Sequence, residues 1–222
     1  MTKLSGQQIA DAGLDGWAYL VDGLHTRIRT KNFAAGLSIV NAIGAAAEEA
    51  DHHPDVDLRY GHIDVRLTSH DERGVTERDT RLARIISGIA AEAGATTESA
   101  QVSRLELGLD TPSQDSVLPF WAAVLGMGVP SGADLADEIR DPAEALPTIW
   151  FQPSGVEEPR QRWHPDLWIE PDQVRARMDA ALAAGGHLVS DEAAPRFWVL
   201  ADPEGNRVCL CTWQERDPRD AS

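Results

Sequence analysis

Between Ser38 and Ala90 the hydrophobic pattern changes period twice, and no other feature limits the fold so narrowly. The run SIVNAIGAAAEEAD is small and apolar enough for a helix, and Pro54 then forbids its continuation, because proline lacks a backbone N–H and clashes with the preceding turn. In GHIDVRLTSH, Ile63, Val65 and Leu67 alternate with His62, Asp64, Arg66 and Thr68, which is the period of a half-buried strand. Helical character returns in GVTERDTRLARIISGIA, where Thr76 followed by Asp79 reads as a capping-box-like start.

The junctions of these elements carry acidic and imidazole groups at fixed intervals. Glu48 precedes His52 by one helical turn; His53 and Pro54 follow at once. Tyr60 comes six residues after Pro54, His70 ten after Tyr60, and Asp79 nine after His70. Imidazole titrates near neutrality and can therefore both give and take a proton. His52 and His53 are expected at a helix C-terminus, whose partial negative charge favours imidazolium. His70 shares parity with the polar side of its strand. Glu48 shares a helical face with His52 and is expected to orient that ring or to neutralise its charge. Asp79 is expected to cap its helix, to contact a ligand, or both. His62 reads as solvated surface, and His25 and His187 as structural or exposed.

Taken together, Glu48, His52, His53, Pro54, Tyr60, His70 and Asp79 resemble the signature of the pterin-4a-carbinolamine dehydratases, over roughly residues 4 to 97. The resemblance implies dehydration of a 4a-hydroxytetrahydropterin to the quinonoid dihydropterin. It implies His52, His53 and His70 as the proton-transfer set, Glu48 and Asp79 as substrate contacts, no cofactor, and homo-oligomers. It also leaves open a non-catalytic assembly or regulatory role.

The formal charge of −16 argues against a nucleic-acid surface, which needs clustered Lys and Arg. The start, MTKLSGQQIADAG, lacks the basic and apolar regions of a secretion signal, and AAGLSIVNAIGAAA is too short to span a bilayer. A cytoplasmic protein without a membrane partner is expected. Cys209 and Cys211, two apart on one strand, make no disulfide framework.

EAGATTESAQ, residues 92–101, is small and polar and reads as a linker between a module at 1–98 and another at 102–222. Six of the seven tryptophans follow it, so the second module is not a repeat of the first. In that module, FWAAVLG, the helix-like DQVRARMDAALAAGG and the turn DPEGN resemble the glyoxalase-like, vicinal-oxygen-chelate superfamily over residues 102 to 215. The implied fold class is α+β throughout: an antiparallel sheet with helices on one face, then paired βαβββ units. Metal-dependent members of that superfamily take ligands from cleft-facing strand positions, here Glu106, His164 and Arg207. A guanidinium offers no lone pair, so a metal-free cleft with an unidentified ligand is expected, with Glu106 and Arg207 forming an ion pair. Alternatives for this module are small-molecule sequestration and metal-dependent lyase or dioxygenase chemistry. In the cleft, Asp166 and Trp168 should share a face, Leu167 and Ile169 should meet the helices, and Trp150 and Trp198 are counted as core or as the wall of a flat aromatic ligand's site.

Overall fold

The computed structural model describes residues 2–128, 137–155, 162–201, 205 and 207–216. It divides into two units, one ending at Val102 and the other running from Ser103 to Glu215.

In the first unit, α1 (Gly6–Asp11) is followed by β1 (Ala18–Leu20), β2 (Gly23–Arg29), α2 (Phe33–Ala50), β3 (Asp55–Leu58), β4 (His62–Leu67), α3 (Glu77–Glu92) and β5 (Thr97–Glu98). The antiparallel sheet has the order β1-β2-β4-β3, with β5 also on β2. The period-two pattern of β4 is realised: Ile63, Val65 and Leu67 are buried, while His62, Asp64 and Arg66 are partly exposed. Leu24 and Ile28 of β2 lie beside them and meet Ile39 and Ile43 of α2 and Leu82, Ala83 and Ile86 of α3. Burying one such branched side chain is worth about 1.5–3 kcal/mol, so this layer is the main source of stability for the sheet and its two long helices.

Two expectations change here. Residues 92–101 are not a plain linker, because Thr97 and Glu98 pair with Ile28 and Arg27, and Arg29 meets Glu98 at 2.7 Å. The polar composition hid an edge strand that needs only backbone pairing and one ion pair. Strand β4 also stops at Leu67, short of His70. Ser69 and Gly74 form an isolated bridge that closes a turn around His70, so strand parity does not govern that side chain.

The second unit contains β6 (Arg104–Thr111), α4 (Gln114–Leu125), β7 (Glu138–Ile139), β8 (Ile149–Pro153), β9 (Trp163–Trp168), α5 (Val174–Ala183), β10 (His187–Ser190), β11 (Phe197–Ala201) and β12 (Arg207–Cys211). Its sheet runs β10-β11-β12-β9-β6-β8-β7, with β12–β9 and β6–β8 parallel. The second half, β9-α5-β10-β11-β12, is a βαβββ unit. Alternation splits the sheet's faces. Leu109, Ile149 and Phe151 pack with α4 residues such as Trp121, and Leu167, Ile169 and Leu210 pack with Val174 and Met178. Trp163 and Trp198 belong to these helix-side cores; Trp163 meets Trp121 edge-on at 5.0 Å. The opposite face is left to Glu106, Gly108, His164, Asp166, Trp168 and Cys209.

Candidate active site

Three chain segments meet at one carboxylate in the first unit. Helix α2 ends because Asp51 turns left-handed (φ 46°, ψ 43°), a conformation that aspartate tolerates better than most residues. The reversal sends the next residue inward: His52 N–H bonds back to the Ala47 carbonyl at 3.1 Å, and the imidazole is buried. Its Nε2 lies 2.7 Å from Asp79 Oδ1. Asp79 is fully buried, and its Oδ2 accepts from Ser69 Oγ at 2.7 Å and from the Thr76 backbone N–H at 2.7 Å. Thr76 Oγ1 stands 2.9 Å from Ser69 Oγ and 3.2 Å from Asp79 Oδ2. The Thr76–Asp79 capping box is complete, so the group that starts α3 also holds His52.

The hydrogen-bond capacity of a carboxylate explains the arrangement. It only accepts, so Nε2 of His52 donates and Nδ1 is left as the ring's other face. Hydrogen bonds to a charged group are worth about 1.5–3 kcal/mol each, and burial removes water as a competitor. His52 is therefore a held residue.

The other members are exposed. His53 Nε2 is 3.2 Å from Glu48 Oε1, with the two side chains 57% and 81% exposed. Glu48 thus pairs with His53, not with His52 as the helical spacing suggested. The left-handed Asp51 breaks the periodicity between Glu48 and His52, and Asp79 takes the place assigned to Glu48. His70 is exposed in the turn that follows β4, where its carbonyl accepts from Arg73 N–H at 3.4 Å. Tyr60 is 74% exposed between β3 and β4. Asp79, expected to cap its helix, to contact a ligand, or both, completes the cap of α3, bonds to His52 and has no exposed surface. Ser69 escaped the sequence reading, and Thr76 was read only as the cap of α3. The available signals were the capping box and the position of Ser69 directly before His70.

The second unit concentrates acids on the face away from its helices. Glu106 stands opposite Asp166, and Asp166 opposite Cys209, in one row across β6, β9 and β12. Trp168 Nε1 donates to Glu106 Oε2 at 2.6 Å, and Trp150 Nε1 to Asp166 Oδ2 at 3.1 Å. Arg140 donates to Glu138 Oε1 at 2.5 Å. Burial pushes the Glu106 carboxyl up to about 7; the Trp168 N–H opposes this, and the charges of Asp166 and Glu138 reinforce it. Gly108 is required where it stands, since a Cβ there would lie 2.5 Å from Cε1 of His164.

The expected Glu106–Arg207 pair is not formed. Arg207 lies opposite Ala201 at the exposed end of β12. Its Cα is two strand spacings and two residues away from that of Glu106, about 12 Å. The set Glu106, His164 and Arg207 does not assemble as metal ligands: the first is bonded to an indole and the last has no lone pair to give.

Comparison with known proteins bears on both units. Residues 2–89 match the family model described as pterin 4 alpha carbinolamine dehydratase, and residues 106–211 match that of the glyoxalase-like domain. A protein of Aquifex aeolicus provisionally named pterin-4-alpha-carbinolamine dehydratase is 36% identical over 92 residues, 40% of this chain and 93% of that protein. One of the same name from Thermomicrobium roseum is 40% identical over 93 residues, 41% of this chain and all of that protein. The chain belongs to the pterin-4-alpha-carbinolamine dehydratase family. Membership rests on the first unit alone, and a glyoxalase-like domain follows it. A crystal structure titled transcriptional coactivator/pterin dehydratase, from Brucella melitensis, is 31% identical; the match covers 40% of this chain and 99% of that one, with a TM-score of 0.39. Among the described residues, no helix is long and apolar enough to cross a membrane.

Proposed function

We propose that the first unit dehydrates a 4a-hydroxytetrahydropterin to the quinonoid dihydropterin. The observation that carries this reading is the Asp79 hub, which ties the double-histidine end of α2 to the turn bearing His70 through Ser69. The reaction needs one proton delivered to the 4a-hydroxyl and one removed from N5. The C4a–O bond breaks, the hydroxyl leaves as water, and the N5–H electron pair forms the new C=N bond. His53 and His70 are the exposed imidazoles and serve as the proton carriers; Glu48 sets the orientation and charge of His53. His52, with Nε2 committed to Asp79, keeps one fixed tautomer and presents Nδ1 as its remaining contact.

The test is turnover of chemically generated 4a-hydroxytetrahydropterin by the purified full-length chain. His53→Ala and His70→Ala should each lower the rate by about 10²–10⁴-fold, the loss expected for a general acid or base. Undiminished turnover in both, with circular dichroism unchanged, refutes the assignment.

A further inference from the structure

We propose that Arg78 and Asp71 are a positioning pair for His70, fixing where its turn holds the imidazole. The inference rests on the dehydratase reading of the first unit, in which His70 carries a proton. Both chain neighbours of His70 are anchored to consecutive residues of α3. Ser69 Oγ donates to the Asp79 carboxylate, and Asp71 Oδ1 accepts from the Arg78 guanidinium.

The two anchors act at different levels of the turn. At its base, Ser69 N–H donates to the Gly74 carbonyl at 2.9 Å, and Leu4 N–H donates to the Val75 carbonyl at 2.8 Å. Ser69, Gly74 and Val75 are all buried. Farther out, Arg73 reverses the chain in a left-handed conformation (φ 50°), and His70 and Asp71 are exposed. Backbone bonds at the base fix the path of the chain. They do not fix the direction of an exposed side chain, which a tether on the next residue narrows.

Arg78 is well placed to be that tether. It lies inside the capping box of α3, and its backbone N–H donates to Thr76 Oγ1 at 3.1 Å. Its side chain is 26% exposed, against 63% for Asp71, so the guanidinium is the more fixed of the two partners. The hydrogen bond from Arg78 holds the Asp71 carboxyl below the usual carboxylate range, and a guanidinium stays protonated. The pair therefore persists through the neutral range in which imidazole exchanges its proton. One helical turn then serves both proton carriers: Asp79 holds His52, the neighbour of His53, and Arg78 holds Asp71, the neighbour of His70.

Magnitudes separate this role from a structural one. A solvent-exposed ion pair adds little to stability. A proton carrier, in contrast, must come within hydrogen-bond reach of the substrate atom, and a misplacement of about 1 Å can cost about 10²-fold in rate. The pair should therefore be visible in turnover and nearly invisible in unfolding.

The experiment compares Arg78→Met, Asp71→Asn and the double variant of the purified chain in turnover of chemically generated 4a-hydroxytetrahydropterin. Each single change should lower kcat by about 10–100-fold, with KM and the thermal midpoint nearly unchanged. The double variant should be no slower than the slower single one, because both changes remove one contact. Arg78→Lys should recover part of kcat, since it keeps the charge but not the planar guanidinium. Wild-type kcat in both single variants, multiplicative losses in the double one, or a thermal midpoint that falls with the rate each overturn the inference. A readout free of turnover separates it from the dehydratase reading. Relaxation of ¹³C-labelled histidine rings should show His70 more mobile in Arg78→Met and His53 unchanged. An equally ordered His70 overturns the positioning role whatever the activity. If the ring loosens and the wild type turns over no pterin, the pair stands and the dehydratase reading falls.

Discussion

The first unit's carboxylate hub and the second unit's acidic sheet face both bury acids, but they satisfy them differently. Asp79 collects its donors from the start of its own helix, from the turn before it and from the end of α2, so three elements converge on one group. Glu106 and Asp166 take indole N–H groups from within the same sheet, and no helix terminus or turn contributes to those bonds. The difference shows in what each arrangement holds. Glu106, with one indole as its hydrogen-bond partner, is pushed up to about 7, chiefly by burial. The first arrangement locks an imidazole, and the second leaves a His, Asp and Cys standing side by side.

The comparison breaks most readily at Asp79. Asp79→Ala strands Ser69, the Thr76 N–H and His52 together in a buried site, and each buried group left unsatisfied costs about 1–3 kcal/mol. Hydrogen exchange at α3 amides should accelerate sharply, and turnover should vanish. Protection equal to wild type would mean that the hub is not a stabilising centre.

A smaller loss is expected at Ser69. Ser69→Ala removes one donor to Asp79 and should cost about 1–3 kcal/mol, the range for an unsatisfied buried group. Ser69→Thr keeps the hydroxyl and should restore most of the loss in turnover. If alanine and threonine behave alike in both denaturation and activity, Ser69 does not link the His70 turn to His52.

In the second unit the contrast sharpens with pH. Burial pushes the Glu170 carboxyl up to about 7, assisted by Asp172 and opposed by a hydrogen bond from Trp213. A carboxyl whose folded pKa lies above its unfolded 4.5 contributes stability that is fully present below pH 4.5 and is lost as pH rises through 7. The thermal midpoint of the second unit should therefore fall between pH 5 and pH 8, by the Glu170 contribution, more in the wild type than in Glu170→Gln. Parallel curves would remove Glu170 as the cause.

The smallest effect belongs to Glu48. Its contact with His53 is solvent-exposed, and such pairs are worth about 0–1 kcal/mol. Glu48→Ala should leave the denaturation midpoint almost unmoved while lowering turnover through the loss of His53 orientation. A large stability change would show that the pair is more than a surface contact.

Much of this was legible in the sequence for reasons tied to local chemistry. The stop after α2, the alternation in β4 and the Thr76–Asp79 cap depend on neighbours within a few residues, and periodicity and side-chain hydrogen bonding reveal such features. The partner of His52 was not legible, because it depends on one left-handed residue, Asp51, which cancels the helical spacing from Glu48. The edge strand at Thr97–Glu98 was masked by polar composition. The pairing of Cys209 with Asp166 required the register of two strands more than forty residues apart, a quantity that no local pattern encodes.

The double duty of Asp79 limits how this protein can be altered. In most helices the first turn is a safe place for stability engineering, since its cap answers only to the backbone. Here the capping carboxylate also holds an imidazole, so any fraying at the start of α3 releases His52 at the same moment. Heat inactivation and opening of that helix should therefore be a single event, observed at one temperature, and this molecule should have no folded but catalytically slack intermediate in which α3 has begun to unwind.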